Sequence, residues 1–202
     1  LGLITGATMK LFPLPTAHLT ALASCQSLAQ AVALLGLAQG RLGAGLTGFE
    51  VMNEFSLSLV RRHFPQLPQP LPPSPWTVLL EYADADGESS ARQRFEALLE
   101  AALEQDLVTD AVVAESLAQS HALWHLRESI PLAQSEEGLN VKHDIALPIS
   151  AVADFVEHTD AALQHAFPGA RLVDFGHLGD GNLHYNVQAP EGSDARAFLR
   201  DQ

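Results

Sequence analysis

The stretch Phe175-Gly176-His177-Leu178-Gly179-Asp180-Gly181-Asn182-Leu183-His184-Tyr185-Asn186 sets two histidines around a run of small, turn-forming residues. Its flanks alternate in polarity as strands do, Arg171 to Phe175 before and Leu183 to Val187 after. Gly179, Asp180, Gly181 and Asn182 favour a turn between them. The spacing predicts a β-hairpin with a six-residue loop and His177 opposite His184 at its base. Directly opposed residues of paired strands lie about 5 Å apart, so two imidazoles there can share one metal ion. Alternation puts His184 and Asn186 on one face and Leu183, Tyr185 and Val187 on the other. One face is thus polar and fit for chemistry; the other is apolar and fit for a core.

The segments leading to this hairpin alternate between strand and helix patterns. Ala17 to Ala23 reads as a strand. Ser24 or Ser27 then caps a helix running to Ala38, with Leu28, Val32 and Leu35 on one face and Gly40 as the stop. Leu46 to Met52 is a second strand, and Asn53 caps a short helix to His63. Six prolines between Pro65 and Pro75 exclude helix and central strand, leaving an extended connector. Trp76 to Tyr82 is a strand, Ala91 to Gln105 a helix and Leu107 to Val113 a strand. Glu115 to Ile130 is a helix stopped near Pro131, followed by a polar loop from Gln134 to Gly138. Leu139 to Leu147 is a strand and Ala151 to Phe167 a helix. The strands alternate in polarity rather than being apolar throughout, which favours an antiparallel over a doubly wound sheet. The expected fold class is α+β: a large antiparallel sheet with helices packed on one face, its halves forming ferredoxin-like split βαβ units.

The chain has 202 residues, 47% of them hydrophobic, enough to bury a real core. A formal net charge of -13 opposes binding to nucleic acid or to anionic membrane surfaces, and no basic run offsets it. Cys25 is the only cysteine, so no internal disulfide forms and a reducing, cytoplasmic setting is expected. No apolar run is long enough for a transmembrane helix. Leu1 is not a natural start, and a closing helix from Asp194 stops early. The chain is therefore expected to be a piece of a longer protein.

Several groupings invite chemistry. Gly43-Ala44-Gly45-Leu46-Thr47-Gly48 matches a dinucleotide-binding pattern, but a helix precedes it and a strand follows, the reverse of what the mechanism needs. It reads as a tight turn. His121, His125 and Glu128 share a helix face and read as solvated surface. Arg127 either snorkels from the core edge or, with Lys142, clamps a carboxylate by its fork and a point charge. His177 and His184 are candidate ligands for zinc, iron or manganese rather than calcium, or else polar residues of a turn. Asp174 and Asp180 are local candidates for a third ligand.

The segment from Phe175 to Asn186 resembles the signature of the FAD-linked 2-hydroxyacid dehydrogenases. Leu1-Gly2-Leu3-Ile4-Thr5, Thr8 to Pro15, Leu46 to Glu50 and Val141 to Pro148 are similar as well, so the resemblance spans nearly the whole chain. It implies that residues 1–202 are the C-terminal substrate-binding, or cap, domain. The flavin-binding domain would precede it, and the extreme C-terminus would be missing. It implies metal ligands at His177 and His184, and substrate contacts at Arg127, Lys142 and Asn186. Gly2 and Ile4 fall in the passage that borders FAD. The family's third ligand and general base, a Glu-His pair, would lie beyond Gln202. Pro131 stands where some members carry threonine, removing a hydroxyl from the distal part of the site.

The resemblance implies an enzyme that oxidises a D-2-hydroxyacid to a 2-oxoacid, with FAD taking the hydride and zinc or another divalent transition metal polarising the substrate hydroxyl. The isolated chain is then expected to be colourless and inactive. The expected partners are a small 2-hydroxyacid and an unidentified electron acceptor, with a homodimer compatible and nucleic acid excluded. Two other function classes stay open: a non-catalytic binding or dimerisation module, and a metal-dependent hydrolase.

Overall fold

Strand and helix periods sort this sequence onto one sheet with two covered faces. The computed structural model describes residues 2–11 and 14–200, apart from the side chain of Leu199. Its strands are β1 (Ala17–Cys25), β2 (Leu46–Asn53), β3 (Trp76–Asp84), β4 (Asp110–Val113), β5 (Asn140–Val141), β6 (Asp144–Ala146), β7 (Arg171–His177) and β8 (Asn182–Gln188). Its helices are α1 (Leu28–Leu42), α2 (Glu54–His63), α3 (Glu88–Glu104), α4 (Leu117–Glu128), α5 (Ile130–Glu137), α6 (Ile149–Ala166) and α7 (Ala195–Arg200). The strands form one sheet in the order β4-β1-β3-β2-β7-β8-β5, with β6 also on β8, and every pairing is antiparallel. The antiparallel α+β expectation holds. β1-α1-β2 and β3-α3-β4 interleave as a split βαβ pair. The later strands extend that sheet from β2 and do not repeat the unit.

The helices cover both faces rather than one. Alternate residues of β3 separate the two cores. Val78, Leu80 and Tyr82 join α1, α3 and α6 on one side, while Leu79 joins α2, α4 and α5 on the other. The second core was hidden in the sequence because α2, α4 and α5 are short, and α4 and α5 are weakly amphipathic.

Local chemistry explains the helix bounds. Ser27 and Gln30 form a capping box at the start of α1. Leu28, Ala31, Leu34, Leu35, Ala38 and Leu42 recur at helical spacing and are buried. The helix passes Gly40 because Leu42 is anchored in the core, and it ends at Gly43, whose φ is 55°. α4 ends at Glu128, close to the expected stop, but Pro131 also begins a new helix. It lies in the first turn of α5, where its missing N–H has no partner to lose. The segment expected as a polar loop, Gln134 to Gly138, is the end of α5 and its cap.

The expected strand from Leu139 to Leu147 is split at Lys142 and His143. There Tyr185 N–H donates to the His143 carbonyl at 2.8 Å, and His143 N–H donates to Asn186 Oδ1 at 3.1 Å. A side chain takes one place in the ladder.

Candidate functional site

β7 and β8 pair two residues out of the expected register. His184 faces Phe175, and His177 lies beyond the paired residues of β8; on its other side it faces Glu50 of β2. A slip of two residues keeps each side chain on its face, so both histidines still point to the side covered by α2, α4 and α5. Their ring centroids lie 6.1 Å apart with planes at 68°. That is the outer end of the span two imidazoles cover across one ion, with metal–nitrogen bonds of about 2 Å. Two glycines hold the hairpin in this form. A Cβ on Gly176 would lie 2.7 Å from the Asn182 carbonyl oxygen, and one on Gly181, at φ 67°, would lie 2.1 Å from the Leu147 carbonyl oxygen.

Arg127 ends α4 on this same face. It is 8% exposed, with its Cζ 4.8 Å from the centre of the Phe175 ring. Phe175 also lies 4.7 Å from the His184 ring. Arg127 Nε donates to Glu50 Oε2 at 2.8 Å, and the other oxygen of Glu50 accepts from His177 Nδ1. His184 Nδ1 donates to Asp144. Each imidazole therefore donates from Nδ1 to a carboxylate and leaves Nε2 without a partner among the described residues, the arrangement that prepares histidine for a metal. As a donor set the pair suits zinc or a similar cation. Among the described residues, no group of three or more His, Cys, Asp or Glu could hold one.

The other expected residues have the following places. Lys142 is exposed in the break between β5 and β6 and makes no hydrogen bond or ion pair among the described residues. Asn186 lies beside it in register and is 4% exposed. Its Nδ2 donates to Gln134 Oε1 at 3.0 Å and its Oδ1 accepts from His143, which leaves a second donor and a second acceptor on the amide. Gly2 and Ile4 lie in an irregular segment where Ile4 is 91% exposed. Leu1, Phe12 and Pro13 of the family-like passages, and Asp201 and Gln202, lie outside the described residues. His121 and His125 are exposed on α4, and the glycine pattern from Gly43 to Gly48 forms a 3-10 turn leading into β2.

Neither local candidate for a third ligand joins the histidines through a bond. Asp180 is exposed and lines a polar cavity with Thr47, Glu50 and His177. Asp174 points to the opposite face, because it sits one residue from Phe175 on β7. It is fully buried, neither oxygen has a partner, and burial and the charge of Asp160 raise its carboxyl well above the usual range. Burial also raises the Asp160 carboxyl, against the hydrogen bond it accepts from Tyr185.

Glu50 is the site residue that sequence reasoning missed. Its signal was present: an acid between Phe49 and Val51, inside a strand that otherwise reads as core.

The family model of FAD linked oxidases, C-terminal domain, matches residues 14–198. D-2-hydroxyglutarate dehydrogenase of Xanthomonas citri pv. viticola is 37% identical over 202 residues, covering 98% of this chain and 41% of its own. The mitochondrial D-2-hydroxyglutarate dehydrogenase of Arabidopsis thaliana is 32% identical over 195 residues, covering 96% of this chain and 34% of its own. The chain thus spans between a third and a half of the length of these relatives. Among solved structures, alkyldihydroxyacetonephosphate synthase matches with a TM-score of 0.57 and 11% identity, covering 93% of this chain and 38% of that one. p-Cresol methylhydroxylase matches at 0.53 and 10% identity, covering 91% and 40%. These two likenesses concern the fold. Among the described residues no helix is long and apolar enough to cross a membrane. On the family match and the two relatives, this chain belongs to the FAD-linked oxidase C-terminal domain family.

Proposed function

We propose that this chain forms the substrate-binding part of a flavin-dependent dehydrogenase that oxidises a D-2-hydroxyacid, of the 2-hydroxyglutarate class, to the 2-oxoacid. One observation carries the reading: a buried arginine and two imidazoles gather around Glu50 and Phe175. Arg127 makes no hydrogen bond besides the one to Glu50 among the described residues, so its terminal amino groups are open to a carboxylate. Lys142 adds a mobile positive charge from the edge of the sheet. In a chain of net charge -13, these cations give an organic acid its local attraction.

His177 and His184 would hold a divalent metal through Nε2, with a further ligand from outside the chain. The metal would supply Lewis acidity toward the substrate hydroxyl. Gly2 and Ile4 would border FAD, held mainly by the rest of the protein and supplying the hydride acceptor, and a base from outside the chain would take the hydroxyl proton. Asn186 would contribute its spare amide donor to the substrate. The chain's own part is orientation: Arg127 and Lys142 fix the carboxylate so that the C2 hydrogen has one direction to leave. The lone cysteine fits a reducing compartment such as the cytoplasm; Cys25 is buried, and burial pushes its thiol up to about 12, which leaves it unreactive.

The test is anaerobic reduction of the flavin in the whole protein by D-2-hydroxyglutarate, D-lactate and D-glycerate, with metal analysis alongside. Bleaching by a D-2-hydroxyacid, and not by its L-enantiomer, is expected, together with one bound metal ion that is lost on His177→Ala. A flavin that no 2-hydroxyacid reduces would reject the reading and return the chain to a binding module.

A further inference from the structure

We propose that Glu50 is a positioning residue for both halves of the site, a single carboxylate that fixes the acid-binding arginine relative to the metal-binding histidine. The inference rests on the reading of Arg127 and His177 given above. Glu50 is 4% exposed and spends its two oxygens on two residues from different elements, Arg127 at the end of α4 and His177 at the end of β7.

Simple neutralisation of Arg127 does not account for this geometry. A buried arginine and glutamate left to themselves favour a fork-to-fork pair that uses both oxygens and two nitrogens. Here Arg127 gives only Nε, and its terminal amino groups stay unused. Nor does attraction of an anion account for it. A carboxylate 2.8 Å from the arginine opposes an incoming acid. What Glu50 contributes is direction. By accepting from His177 it requires the proton on Nδ1, which leaves the lone pair on Nε2. By accepting from Nε it turns the far edge of the guanidinium away from itself. The histidine and arginine thereby share one fixed point.

Glu50→Gln tests this sharply. The amide matches the carboxylate in shape but has one oxygen and one NH2 group, so it accepts from Arg127 or from His177 and not from both. The measurements, on the whole flavoprotein, are zinc affinity by chelator competition and the separate KM and kcat for the hydroxyacid. Zinc Kd or KM should rise by about 10-fold to 100-fold, the range for lost supporting contacts to a metal ligand or a charged group. A zinc effect should vanish when His177→Ala is already present; a KM effect should vanish when Arg127→Met is present. Wild-type zinc affinity and KM in Glu50→Gln would overturn the proposal.

If that variant does not fold, the double variant Glu50→Met/Arg127→Met replaces the buried pair by apolar groups of similar volume, a change that buried ion pairs tolerate. Zinc affinity should still fall by about 10-fold, because His177 has lost its acceptor. Unchanged affinity in that folded protein also overturns the proposal. The failures are distinguishable. His177→Ala with full zinc content rejects the site reading and this inference together. His177→Ala that loses zinc, beside a Glu50→Gln that behaves as wild type, rejects Glu50 alone.

Discussion

The two faces of the sheet at the β7–β8 hairpin each bury a carboxylate and treat it in opposite ways. On the face under α4 and α5, Glu50 is 4% exposed and bonds through both oxygens, to Arg127 and His177, while the amides of Gln134 and Gln188 on that face still leave buried atoms without a partner. On the face under α6, Asp174 is fully buried with no hydrogen bond, and Asp160 adds a like charge nearby. A buried carboxylate without donors is destabilising, whereas one held by an arginine and an imidazole is not. Buried polarity on a strand is thus no mark of a site by itself. The mark is matching across elements that leaves a few atoms over, here Nε2 of two histidines and the tip of one arginine.

Four substitutions break or sharpen that contrast. Gly181→Ala should disturb both faces at once, since its Cβ would meet the Leu147 carbonyl oxygen at 2.1 Å. Its cost, read by urea unfolding, is expected at about 2–4 kcal/mol. A cost near zero would mean that the turn yields and does not lock the hairpin. His177→Ala touches only the open face. Turnover of the whole protein should fall by about 100-fold or more with the unfolding temperature little changed. Equal loss of fold and activity would erase the distinction between the faces.

Asp174→Asn probes the sealed face and should act on stability with no effect on turnover. The folded-state value of Asp174 is raised above its ordinary 3.8. Its stability contribution is therefore intact below that ordinary value and is lost as pH rises toward the folded one. Asparagine does not titrate, so the variant should match the wild type near pH 4 and exceed it by about 1–2 kcal/mol at pH 8. A gain that shrinks with rising pH would show that Asp174 has donors after all. Asp144→Asn should matter least. Asp144 supports His184 as Glu50 supports His177, but its side chain is 74% exposed against 5%. Water competes for that bond, and zinc affinity should change by about threefold at most.

The first four strands and their helices were legible because each carries a strong local signal. Ser27 with Gln30, Asn53 and the apolar periods of β1, β3 and α3 all point the same way. The second half was less so. Pro131 is equally suited to ending one helix and starting the next, and only packing of Ile130 and Ala133 on the sheet decides for α5. The split of β5 from β6 depends on the Asn186 side chain, 43 residues away from His143, which no local pattern contains. In the candidate site, the pairing of the two histidine rings could be read from spacing. The hairpin register could not, because the connection is a 3-10 turn over Leu178–Asp180 closed by a left-handed Gly181, a geometry that a run of turn-forming residues does not specify.

The sheet's outer rails are its shortest strands. β4 has four residues, and β5 has two before the chain bends away. An open rail is where a strand from another molecule would add itself, and short, interrupted rails offer little to grip. A chain with so much β-structure is thereby discouraged from growing into ribbons.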